Sequence, residues 1–217
     1  MKLFFFMLFG LLVFLLTLVG YRKYRFTTLY ALAIGGIVNA NFFHAGSYPI
    51  NCFGLPFGID SIIYTLFIFC VFLMFIKEGK KQAYLLSISS VLAIIISATF
   101  QLATDLLTIG VNMNSFKIFL MFFISAFASI IAIVILLEIF DKIKNKINKY
   151  LLLLISIFVV SIVNSVIYYP IAMLLGGVSD NIGPLLLTSV LGKLIALGCS
   201  FIAYFLINKL YENKGDK

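Results

Sequence analysis

Between Phe53 and Ala83 the chain reads FGLPFGIDSIIYTLFIFCVFLMFIKEGKKQA. A turn-rich opening with Gly54, Pro56 and Gly58 leads into an apolar run from Ile59 to Ile76, which stops at Lys77-Glu78-Gly79-Lys80-Lys81. Eighteen helical residues cover roughly 27 Å, close to the hydrocarbon thickness of a bilayer. The basic cluster that ends the run reads as a cytoplasmic stop. This one stretch fixes a lipid solvent, a helical element and an orientation.

The rest of the chain repeats the pattern. Leu3 to Gly20 is a first apolar run closed by Arg22, Lys23 and Arg25; it is too long for a signal peptide and lacks a small-x-small cleavage site, so a retained helix is expected. Phe26 to Phe43 forms a second span, where Gly35-Gly36 suggests close helix contact. A loop from His44 to Gly58 precedes span three. Span four runs from about Gln82 to Ile109, span five from Phe116 to Phe140, span six from Tyr150 to Leu175 around Pro170, and span seven from Pro184 to Ile207. Residues 141–149 are expected as a basic loop.

The expected fold is therefore an all-α polytopic membrane bundle. Residues 1–25 supply an N-terminal transmembrane helix with a basic stop, and residues 26–217 a six-helix transporter domain with a short cytoplasmic tail, giving seven spans. Only 11% of residues are charged and mean hydropathy is +1.17; a soluble domain carries about 25% charge. Thirteen of the sixteen Lys and Arg fall in alternate connections and the tail. This alternation places the N-terminus outside and the C-terminus in the cytoplasm. It also makes the net charge of +8 topological, so no nucleic-acid partner is expected. Cys70 and Cys199 sit in apolar runs as small core residues.

Polar side chains inside spans are costly and mark candidate sites. Asp60 and Tyr64 lie four apart on span three, where Asp60 could equally cap the helix. Gln101 and Asp105 have the same spacing on span four. Ser161, Asn164 and Tyr168 share a face of span six, Asn41 ends span two, and Lys193 lies deep in span seven. Facing inward, these groups would enclose a pocket of amides, carboxylates and phenols able to match the edge of a planar base or vitamin, with Asp105 as the candidate ion partner of Lys193. Protease, hydrolase and nucleotide-loop signatures are absent, and His44 is the lone histidine, so neither an enzyme nor a cofactor or metal site is expected.

Several segments carry a family resemblance. LYALAIGGIVNAN (29–41), FGLPFGIDSIIY (53–64), GKKQA (79–83), SAFASIIAIVILLEIFDKIK (125–144), VNSVIYYPIAMLLGG (163–177) and GKLIAL (192–197) resemble, in order and spacing, the VUT family of vitamin-uptake and queuosine-precursor transporters. The resemblance covers about residues 29–205 and implies a six-span core in a bacterial inner membrane that takes up deazaguanine bases. By position Asn41, Tyr64, Gly79, Lys80 and Lys193 match the family pattern. Apolar residues stand near Phe72 and Ile76 where the family has acids, Asn164 stands where an aspartate is usual, and the family's Asp-Thr-Pro is missing around Ser200. The implied function is uptake of a small organic solute by alternating access, with the bilayer and that solute as partners and a homodimer admitted. A substrate-capture subunit of a multi-component importer, or a non-transporting interaction or immunity protein, are the alternatives.

Overall fold

The computed structural model describes the backbone of residues 2–46, 50–52, 55–57, 59–108, 110, 112–175 and 182–215, with side chains for 3–39, 60–108, 110, 112–175 and 186–209. The helices are α1 (Lys2–Tyr24), α2 (Phe26–Gly46), α3 (Ile59–Glu78), α4 (Lys80–Thr108), α5 (Met113–Ile143), α6 (Lys149–Leu174) and α7 (Ile182–Gly215). Six of them are long and apolar enough to cross a membrane; the described apolar part of α2, Phe26–Asn39, is shorter. The chain is an all-α membrane bundle.

Two connections differ from expectation. Within the 44–58 loop, α2 continues to Gly46 and two short strands, β1 (Ile50–Cys52) and β2 (Leu55–Phe57), pair antiparallel in the register Ile50 to Phe57 and Cys52 to Leu55. The hairpin rests against α1 and α7. The 141–149 connection is shorter than its charges suggest, because α5 runs to Ile143 and Asn148 caps α6, its side chain accepting the Tyr150 N–H at 2.9 Å. Helix α6 continues through Pro170.

The packing order is a closed ring. Helix α1 packs on α2, α2 on α4, α4 on α5, α5 on α6, α6 on α7 and α7 back on α1. Helix α3 passes through the middle. Every residue from Leu66 to Phe75 is buried, as expected of a helix apolar on all sides and enclosed by others. Its phenylalanines meet aromatic rings from three ring helices: Phe69 contacts Phe14 of α1 at 5.3 Å and Tyr204 of α7 at 6.4 Å, and Phe72 contacts Phe140 of α5 at 6.2 Å. Edge-on ring pairs add about 1 kcal/mol each beyond buried area. Cys70 and Cys199 are buried thiols in this core.

Tight joints close neighbouring helices. At Gly79, φ is +92°, and its N–H reaches the carbonyls of Met74 and Phe75, ending α3 so that α4 starts one residue later. Arg25 plays the same part between α1 and α2 with φ +52°. Just above it, the Thr28 hydroxyl donates to the Gly20 carbonyl at 2.9 Å. A Cβ on Gly20 would meet the Thr28 methyl at 2.8 Å. Gly20→Ala should therefore cost about 1–3 kcal/mol. Adding Thr28→Ser, which drops the methyl and keeps the hydroxyl, should recover most of it; a melting temperature equally low in the double variant would refute the clash. Of the Gly35-Gly36 pair, Gly36 faces Ile63 and Leu66 of α3, while Gly35 faces open space.

The basic connections gather at one end of the bundle. Lys80 pairs with Glu138 at 2.9 Å and Asp141 at 3.4 Å, Asp141 also holds Lys144 at 2.8 Å, and the Tyr84 hydroxyl donates to Glu138 at 2.9 Å. These groups are largely solvated, so the pairs add little to stability and are weakened by salt. The opposite end carries the hairpin and Asn112 and is called the outer end below, after the charge bias that is expected to put the basic end in the cytoplasm.

Candidate functional site

Four helices bring hydrophilic groups together inside this otherwise apolar bundle. Lys193 lies on α7 about two turns inside the outer end of the apolar stretch Leu186–Lys209 and is 5% exposed. Its ammonium donates to Ser165 Oγ at 3.1 Å and to Asn164 Oδ1 at 3.5 Å, both on α6. It also lies 4.8 Å from the centre of the Tyr64 ring on α3, a cation–π contact worth about 2 kcal/mol when desolvated. Ser129 of α5 joins the two sides: its Oγ accepts from the Tyr64 hydroxyl and from Asn164 Nδ2, each at 3.3 Å. Tyr64, Ser129, Asn164 and Ser165 are all buried.

A second layer adjoins this network. Asp60 is in the first turn of α3, inside the helix and one turn above Tyr64, and its charge acts on Lys193, Tyr168 and Tyr169. An acid there also suits the positive end of the helix dipole. Tyr168 and Tyr169 pack edge to face at 5.3 Å against Ala128 and Ala172. The expected face of Ser161, Asn164 and Tyr168 is buried throughout; the Ser161 hydroxyl finds no partner among the described residues.

Of the residues singled out in the sequence, Tyr64, Asn164 and Lys193 therefore meet directly, with Asp60 and Tyr168 beside them. Gln101 and Asp105 stand apart. They line an open groove of about 630 Å³ between α2 and α4, together with Val38, Ile96 and Phe100. Asp105 is thus not the ion partner expected for Lys193; the acid whose field reaches the ammonium is Asp60. Asn41 belongs to α2, but its side chain is outside the described residues, as is that of His44. Ser129 and Ser165 were not anticipated. Serines in apolar spans mostly bond their own helix, as Ser87 and Ser90 do here, so neither announces itself in the sequence.

The arrangement offers a fixed ammonium, an amide and hydroxyls, with phenol rings at the side. Such groups can donate to carbonyl or carboxylate oxygens and cover the face of a planar solute. Among the described residues no group of three His, Cys, Asp or Glu could hold a metal ion. No family model, curated protein or solved structure matches this chain.

Proposed function

We propose that the chain is a transporter for a small organic solute, a deazaguanine base or vitamin-like compound, working by alternating access around the Lys193 cluster. The observation that carries this reading is the buried ammonium held by neutral oxygens. A lysine at this depth is costly to bury, so a position with no task beyond packing would sooner hold an apolar residue. Bonded directly only to neutral oxygens, with Asp60 the acid whose field reaches it, the ammonium keeps a donor for an acceptor that a solute brings. Asn164, standing where the resembling family has an aspartate, leaves the charge of Lys193 unneutralised on that side. The resemblance supplies the solute class and the bacterial inner membrane.

Expressed alone in a strain without its own uptake of such bases, the chain should accumulate a labelled deazaguanine base. Accumulation only when an energising ATPase complex is supplied would make it a capture subunit. No accumulation, joined to no rise in melting temperature with any base or vitamin, would remove the transport reading and leave an interaction protein.

A further inference from the structure

The groove between α2 and α4 has a graded wall. Along one row of α4, four residues apart, stand Ala93, Ser97, Gln101 and Asp105, and Asp105 is three residues from the outer end of the helix. The row thus passes from apolar, within the membrane, to acceptor-bearing at the level of lipid headgroups. Beside it Ile96 and Phe100 are exposed, at 54% and 70%, on a surface that faces hydrocarbon in a membrane. The Gln101 carbonyl oxygen is buried and receives no hydrogen bond from the described residues. An acceptor left bare in so apolar a place is unfavourable. Together with the Asp105 carboxylate one turn above, it asks for a positively charged donor attached to an apolar body.

We propose that this groove holds an outer-leaflet phospholipid with a primary-amine headgroup, its ammonium between Gln101 Oε1 and Asp105 and an acyl chain against Phe100 and Ile96. Charge complementarity favours a cation, the graded wall favours an amphiphile, and an N–H donor separates a primary ammonium from a quaternary one, which carries the same charge but no hydrogen to give. The groove is lined by α2 and α4, whereas the Lys193 cluster is built by α3, α5, α6 and α7. The two readings therefore stand or fall separately.

The test uses the full chain reconstituted in vesicles of equal phosphatidylethanolamine and phosphatidylcholine with identical acyl chains, then released and weighed by native mass spectrometry. Phosphatidylethanolamine should be retained over phosphatidylcholine by about tenfold, the worth of one charge-assisted hydrogen bond. Asp105→Asn and Gln101→Leu should each abolish the preference while the chain still elutes as a folded species. Equal retention of the two lipids, or a preference unchanged in both variants, would overturn the site. Displacement of the lipid by millimolar free ethanolamine would overturn the lipid assignment and make the groove a site for a soluble amine.

Discussion

A Lys193→Met variant should insert and fold normally, melt at the same temperature or higher, and lose at least about tenfold of its solute uptake. The direction of the stability change is the informative part. Methionine fills the same space without a charge, and it removes the cost of burying an ammonium whose directly bonded partners are neutral. Against this stands the loss of donors to Asn164 Oδ1 and Ser165 Oγ, which costs about 1–3 kcal/mol at most because both are small neutral groups that can turn to each other. Uptake depends on the charge itself, since a charge-assisted hydrogen bond to solute contributes about 1.5–3 kcal/mol. A site residue of this kind trades stability for activity. Lower stability with uptake intact would show that the lysine is a structural strut.

Phe72→Ala should be the most damaging single truncation of a core residue, at about 3 kcal/mol, with Phe127→Ala changing stability by less than about 0.5 kcal/mol. Both delete the same atoms from a span. Phe72 is fully enclosed on α3 between Phe140 and Tyr204, while Phe127 of α5 is 54% exposed and faces lipid. Lipid tails are as apolar as a phenylalanine core, so burial by itself gives little discrimination in a membrane. The loss at Phe72 is one of packing, the contacts a cavity cannot replace. Reversible unfolding in detergent would measure both variants. Equal effects would mean that α3 is not enclosed.

That same indifference of lipid to apolar side chains explains what could be read from the sequence. The start of α3 at Ile59 and the Gly79 break were legible, because Gly58, Gly79 and the lysines are punctuation independent of packing. That α3 is the enclosed helix was not, since FIFCVFLMF would serve equally well facing lipid. The i, i+4 spacing of Gln101 and Asp105 correctly put them on one face of α4, and nothing in the spacing told whether that face turns toward the cluster or toward α2. Asn164 and Tyr168 were found because an amide and a phenol on one face of an apolar helix are costly wherever they point. Ser129, which joins Tyr64 to Asn164, looks like any serine bonded to its own backbone.

The ring of helices has a consequence for how the molecule is made. Its seam lies between α1 and α7, the first and last of these seven helices to leave the ribosome, where a Cβ added to Gly10 would lie 3.4 Å from Cys199 Sγ. Until α7 arrives, one flank of α3 lies open to lipid, and Asn164 Oδ1 and Ser165 Oγ lack the donor that Lys193 brings. The nascent chain must therefore pass through a stage shaped like an open letter C. A helper that shields that gap, or a translation rate that shortens its lifetime, would govern the yield of finished protein more than any property of the closed form.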